Sequence, residues 1–247
     1  MEWLIIIAVA FFLQFSDAAV GFGFGEITAL LLLLGFAPLQ VVPTVILSSF
    51  LLSLIAGLLH HSFGNVDFSE KKNTRIVLIL TGFGIAGVLI GSFVAQVLPE
   101  TWLKVYVGAV IIVLGILVIL NHSSGKFSYK KIIALASLAA FNKGVTGGGY
   151  GPVLANGQIL SDVKPKAAVS MTALAESAVS IVGVGVFVLT LGSVIHWTVL
   201  SYLLIGGLIA TPLATYAVKI ISQKLLRRAV SLVTIVLGVF LLVSVIV

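Results

Sequence analysis

The 247-residue chain has no cysteine, and charged residues occupy only 9% of its positions. Without cysteine, disulfides, thiolate metal sites and cysteine catalysis are excluded. A soluble domain carries charge at roughly a quarter of its positions. The scarcity of charge, a hydrophobic content of 60% and a mean hydropathy of +1.26 therefore argue against a soluble fold, which could not bury so much apolar surface.

The apolar residues form continuous runs of about 20 residues, the length at which a helix spans a bilayer. They do not alternate as in a transmembrane β-barrel. The runs cover residues 3–36, 42–59, 76–98, 102–120, 131–160, 167–190, 198–218 and 229–247. We therefore expect an all-α membrane protein with about eight to ten crossing segments, and a single domain over residues 1–247. The N-terminus has no basic region, so we expect no cleaved signal peptide.

The net charge of +6 does not point to nucleic acid, because Lys and Arg in a membrane protein mark the cytoplasmic loops. The basic loops are 60–75, 121–131, 161–166 and 219–228, whereas regions 37–41, 99–101 and 191–197 have no Lys or Arg. Placing the basic loops inside makes segment 131–160 start and end on the cytoplasmic side. This segment must therefore enter the membrane and return as a hairpin of two short helices.

Two of the apolar runs are interrupted near their middle. One break is Asp17–Glu26 and the other is Asn142–Pro152, and both combine glycines with ionisable residues. Glycine and proline disfavour a helix interior. Unwound backbone at membrane depth occurs only where protein or a water-filled cavity satisfies its polar groups. The two breaks are therefore the first places to look for a site.

The breaks also stand in register, which predicts an internal repeat. A shift of 126 residues places Phe15 on Phe141, and the same shift places Gly21, Gly23 and Gly25 on Gly147, Gly149 and Gly151. Further matches follow in the same order with slowly drifting offsets. We predict repeat 1 at about 1–122 and repeat 2 at about 128–247. Each is a broken helical hairpin followed by three transmembrane helices, and the repeats have inverted topology with both termini outside.

The second break and the segment after it resemble the TauE/SafE (TSUP) family of sulfite and organosulfonate permeases. The resemblance lies in the run Lys143–Pro152, in Ala167–Thr172, and in the repeated glycine-rich break near the N-terminus. It implies a secondary transporter, an exporter of a small anion such as sulfite, another sulfur oxyanion or an organosulfonate. The cargo that the resemblance implies also includes small carboxylates.

Lys143 is the strongest candidate for contacting an anion, because a cation near the bilayer centre usually faces a cavity. The N–H groups of the neighbouring glycines and the following half-helix would add partial positive charge; the alternative is that Lys143 snorkels to the interface. The candidate substrate-binding residues are Lys143, Asn142, Thr146, Gly147, Gly148, Gly149, Gly21, Gly23, Gly25 and Thr172.

Three acidic residues are candidates for proton coupling: Asp17, Glu26 and Glu176. Asp17 would carry a proton or pair with Lys143, or else cap a half-helix. Glu26 also fits the first turn of a helix without any function. Glu176 lies four residues after Thr172 on one helical face, and a buried carboxyl exchanges protons near neutral pH.

The alternatives to a coupled transporter are a passive anion channel and an integral membrane enzyme acting on a lipid or phosphate. An enzyme is the weaker alternative, since no nucleophile–base pair or metal spacing is found at either break. The four histidines, at positions 60, 61, 122 and 196, lie at segment ends and are expected to be interfacial loop residues. We expect no cofactor and no metal, a plasma membrane location, and a small anion and the lipid bilayer as partners. The sequence leaves assembly into a homodimer open.

Overall fold

The computed structural model describes residues 2–120, 128–160, 163–218 and 223–246. Within these ranges the chain forms ten α-helices and one short 3-10 helix, Phe24–Glu26, and no strand. The α-helices are α1 (Glu2–Val20), α2 (Ile27–Leu33), α3 (Pro38–Ser62), α4 (Lys71–Val97), α5 (Glu100–Leu120), α6 (Tyr129–Thr146), α7 (Tyr150–Leu160), α8 (Pro165–Leu191), α9 (Trp197–Ala217) and α10 (Gln223–Ile246).

Five helices of the described part are long and apolar enough to cross a membrane: α1, α3, α4, α8 and α9. Their apolar side chains point both inward and outward, as expected when lipid replaces water around a bundle. Leu78 and Leu189, for example, are largely exposed. The prediction of an all-α, multi-pass membrane protein is therefore confirmed.

Both interrupted segments break where the glycines are. The first run divides into α1 and the pair formed by the 3-10 helix and α2, and the second divides into α6 and α7. The first arms are longer than the short helices expected, because α1 has 19 residues and α6 has 18. Three long helices follow each broken pair, as predicted.

Helix packing follows the same scheme in the two parts of the chain. The most extensive helix pairs are α4 with α6, α1 with α9, α3 with α8 and α5 with α10. The repeat relates α1–α5, in order, to α6–α10. Under this relation α4 with α6 becomes α9 with α1, and the pairs α3 with α8 and α5 with α10 map onto themselves. The scheme agrees with a duplicated chain, while the inverted orientation of the halves stays a prediction.

Glycines bring the equivalent pairs close together. A Cβ atom added to Gly91 of α4 would lie 2.2 Å from the carbonyl oxygen of Phe141 in α6. One added to Gly206 of α9 would lie 2.4 Å from the carbonyl oxygen of Ile7 in α1. Small residues let helix backbones approach in this way in membranes. These contacts hold α1 and α6, and hence both breaks, against the rest of the bundle.

Candidate functional site

The same backbone turn ends the first arm of each broken pair. The N–H of Gly21 donates to the carbonyl of Asp17 at 2.7 Å, and the N–H of Gly147 donates to the carbonyl of Lys143 at 2.8 Å. Gly21 has a φ of 72° and Gly147 a φ of 82°, a left-handed conformation that glycine adopts without strain. Asp17 and Lys143, which the repeat aligns, thus occupy equivalent positions one turn before the two breaks.

The two breaks touch through their backbones. A Cβ atom on Gly25 would lie 2.2 Å from the Cα of Gly148, and one on Gly148 would lie 2.7 Å from the carbonyl carbon of Gly25. A second contact joins Gly151 to Gly21: a Cβ atom added to Gly151 would lie 2.4 Å from the carbonyl oxygen of Gly21. The sequence predicts each break separately, and the structure brings them together in one crossing.

A buried ion pair lies beside this crossing. The Nζ of Lys143 is 2.7 Å from the Oε1 of Glu176, which lies on α8. The Lys143 side chain is fully buried, and that of Glu176 is 9% exposed. Lys143 therefore does not snorkel to a surface. Its ion-pair partner is Glu176 rather than Asp17, which corrects the pairing offered from the sequence.

Asp17 and Glu26 belong to the same charged centre. The Asp17 carboxylate accepts a hydrogen bond from the backbone of Phe24 and is in electrostatic range of Glu176, Glu26 and Lys143. Glu26 is 1% exposed, and its Oε1 has no hydrogen-bond partner among the described residues. All three acids predicted for proton coupling are thus grouped around one cation.

The glycine N–H groups of the second break are partly engaged by the protein itself. The N–H of Gly147 is bound to Lys143, and the N–H of Gly148 donates to the Oγ1 of Thr146 at 3.1 Å. The expectation that three successive N–H groups face an anion is therefore not met in this conformation. Thr146 in turn donates to the carbonyl of Asn142 at 2.9 Å.

The remaining candidate residues have hydrogen-bond or packing partners of their own. Asn142 accepts a hydrogen bond from Tyr106, and Thr172 accepts one from Gln158 at 2.7 Å, one turn from Glu176. Gly23 has a φ of 147°, and an added Cβ would lie 2.7 Å from the carbonyl oxygen of Leu13 in its own hairpin. Gly149 has a φ of 82°, and an added Cβ would lie 3.0 Å from Leu114. Gly23 therefore shapes the first break from within its own half.

His60 was expected at an interface, and that expectation is wrong, because its side chain is completely buried. Its Nε2 lies 2.9 Å from the carbonyl of Ala18, which can only accept, so Nε2 carries the hydrogen. Its Nδ1 then accepts from the amide of Asn65 at 3.0 Å, and the same amide donates to the carbonyl of Thr215. His60 thus joins the last turn of α1 to the loop after α3 and to α9. His61 is exposed as expected, and His122 lies outside the described residues.

A polar cavity of about 350 Å³ reaches Asn65 from the loops. Its lining includes Asp67 and Glu70 before α4, Lys72 in the first turn of α4, and Lys164 before α8. Asn65 therefore separates this cavity from His60 and the first break. The sequence signal that was missed is the pair His60–Asn65, five residues apart at the end of a helix.

We expect His60→Ala to destabilise the protein by about 2–3 kcal/mol, since it leaves buried polar groups of Ala18 and Asn65 unpaired. The measurement is the melting temperature of the purified protein in detergent. His61→Ala is the matched control, because His61 is the exposed neighbour and should change the melting temperature little. Equal effects of the two substitutions would contradict the structural role given to His60.

The chain shows similarity to known membrane transporters. The family model described as Sulfite exporter TauE/SafE matches residues 6–241. A curated relative, the probable membrane transporter protein YtnM of Bacillus subtilis (strain 168), is 29% identical over 242 residues. The alignment covers 92% of this chain and 78% of that protein. No solved structure matches significantly. Since the family match spans nearly the whole sequence and the helices are long and apolar enough for a bilayer, the chain belongs to the TauE/SafE family of membrane transporters.

Proposed function

We propose that the protein is a proton-coupled secondary transporter that exports a small anion, sulfite or another sulfur oxyanion or organosulfonate. The observation that carries the proposal is the buried pair Lys143–Glu176 beside the crossing of the two breaks. The family description supports the sulfur chemistry. Broken helices that meet inside a bundle are the usual framework of substrate sites in secondary transporters.

The free-energy cost of burying this ion pair argues that the pair has a function. Removing two charges from water costs several kcal/mol per ion, and apolar residues of similar volume would often stabilise a fold as well. Ionisable residues inside membrane segments therefore mark substrate or proton pathways by default. Lys143 is the one lysine among the fully buried side chains of the described residues, so it is the group to which we assign the anion.

The charge count of the centre argues for proton coupling. One cation, Lys143, faces three acids, Asp17, Glu26 and Glu176, so full ionisation gives a formal charge of 1 − 3 = −2. An incoming anion would be repelled by such a centre. Protonation of Glu176 breaks its ion pair and releases Lys143 for the anion. Proton binding and anion binding then favour each other, as symport requires, and the anion is exported when its outward gradient exceeds the inward proton gradient.

The protein would work in the plasma membrane, with both termini outside and the basic loops in the cytoplasm. Because the chain has no cysteine, a single cysteine introduced by Ser69→Cys or Thr101→Cys reports the sidedness of its loop. We expect a membrane-impermeant maleimide to label position 101 in intact cells and position 69 only after permeabilisation. The reverse pattern would overturn the orientation.

The transport test uses purified protein in proteoliposomes loaded with sulfite. We expect an imposed proton gradient to drive sulfite against its own concentration gradient, and Lys143→Met to abolish this movement. Lys104→Met is the matched control. Lys104 forms an exposed i,i+4 ion pair with Glu100, and its nitrogen–oxygen distance of 2.8 Å is similar to that of the buried pair. Sulfite flux that only follows its own gradient would favour a passive channel, and no flux with any sulfur oxyanion or sulfonate would contradict the proposal.

A further inference from the structure

One acid of the charged centre has a carboxylate oxygen without a hydrogen-bond partner among the described residues, and the proton coupling proposed above gives this oxygen no role. Glu26 Oε1 is buried without a hydrogen-bond partner in the described part of the chain. The other members are engaged: Glu176 binds Lys143, and Asp17 accepts from Phe24. A buried acceptor left unsatisfied costs about 1–3 kcal/mol, more when it is charged. Glu26 Oε1 therefore lacks a hydrogen-bond donor in this state.

Glu26 lies at the crossing of the two breaks and not on the outer surface of the bundle. Its neighbour Gly25 is in backbone contact with Gly148 of the second break, and Glu26 itself is in electrostatic range of Lys143 and Glu176. Thr28, also buried and with an unpartnered Oγ1, lies 3.0 Å from the Cβ position of Gly147. The first half thus presents open polar groups to the second break.

We propose that Glu26 accepts a hydrogen bond from the bound anion and selects a monoprotonated oxyanion, such as hydrogen sulfite, over anions that have no donor. The proposal rests on the function proposed above and names the protonation state of its substrate. Hydrogen sulfite offers oxygens to Lys143 and one hydrogen to Glu26. An alkylsulfonate or the sulfite dianion offers only lone pairs, which would face the carboxylate and repel it. A site built to bind a substrate hydrogen strongly rejects analogues that lack it.

The test compares sulfite with methanesulfonate on the full-length protein in detergent by calorimetric titration without oxygen. Each ligand is titrated at two pH values, one below and one above the second pKa of sulfurous acid, which lies near neutrality. Sulfite changes from a monoanion to a dianion between them, whereas methanesulfonate stays a monoanion at both. The protein and its ionisable groups are the same in both titrations. Any difference between their pH dependences reports the proton on the ligand.

We expect the affinity for sulfite to fall, from the lower to the higher pH, at least about 10-fold more than the affinity for methanesulfonate. Glu26→Gln, which keeps the size and removes the charge, should abolish this difference. Glu100→Gln, at an exposed acid on α5, should leave it unchanged. The comparison in the unmodified protein tests the protonation state of the bound anion even if Glu26→Gln does not fold.

Parallel pH dependences of the two ligands would overturn the inference, because the proton would then belong to the protein. Anion binding and coupled transport would still stand in that case. A pH difference that persists in Glu26→Gln would overturn the role of Glu26. Absence of binding of both anions at either pH would overturn the inference together with the proposed function.

Discussion

Gly25→Ala is expected to prevent assembly of the native bundle or to lower its melting temperature by about 10 °C or more. The new Cβ would lie 2.2 Å from the Cα of Gly148 and 3.3 Å from the carbonyl oxygen of Gly147. Both are backbone atoms, so no side chain can turn aside to relieve the overlap. Overpacking of a core by side chains typically costs about 1–3 kcal/mol, and this contact should exceed that range. The measurement is size-exclusion chromatography of the detergent extract after heating.

Gly185→Ala is the matched control for this substitution. Gly185 lies inside α8, and a Cβ at this position would meet no atom within 4 Å. Alanine is favoured over glycine in a helix by about 0.5–1 kcal/mol, so the control should leave the protein unchanged or slightly more stable. If Gly25→Ala and Gly185→Ala melt alike, the two breaks are not in backbone contact.

Lys143→Met and Glu176→Gln are each expected to destabilise the protein by about 3–5 kcal/mol, because each leaves one member of the buried ion pair without its direct partner. The double variant should be more stable than either single variant, since it removes both charges together. Lys143→Met and the double variant should fail to bind sulfite or methanesulfonate, because neither keeps the cation. The measurement is a double-mutant cycle of melting temperatures, with anion binding measured on the same samples.

The exposed pair Lys104–Glu100 provides the comparison cycle. Its nitrogen–oxygen distance is 2.8 Å against 2.7 Å for the buried pair, but its side chains are 26% and 58% exposed. Exposed i,i+4 pairs contribute about 0.3–0.5 kcal/mol, so this cycle should show almost no coupling. Additive effects at positions 143 and 176 would mean that the buried pair does not form. Anion binding by the stable double variant would remove Lys143 from the site.

The positions of the breaks were predictable because the signal is local. Glycines and ionisable residues inside an apolar run oppose a continuous helix, and the left-handed glycines at positions 21 and 147 are where the helices end. The shift of 126 residues that aligned them also placed Asp17 and Lys143 at equivalent points of the two turns. Local chemistry of this kind requires no knowledge of the tertiary packing.

The partners of these residues were not predictable, because they are set by helix packing over long sequence distances. Lys143 binds an acid 33 residues away, whereas the sequence offered pairing with Asp17 as one of several alternatives. The glycine N–H groups looked like open donors, but Thr146, only two residues from Gly148, takes one of them. The sequence predicts an interfacial location for His60 because a histidine near a helix end usually lies there. Its burial depends on the packing of α1 and α9 around it, which the sequence does not show.

The glycine crossing restricts how the sequence of this protein can vary over time. In an ordinary core contact, an enlarged residue can be accommodated by a smaller one opposite to it. Gly25 and Gly148 have no side chain to give up, so neither offers a second-site suppressor for a change in the other. A genetic selection for revertants of Gly25→Ala should therefore recover true reversion to glycine and none at position 148.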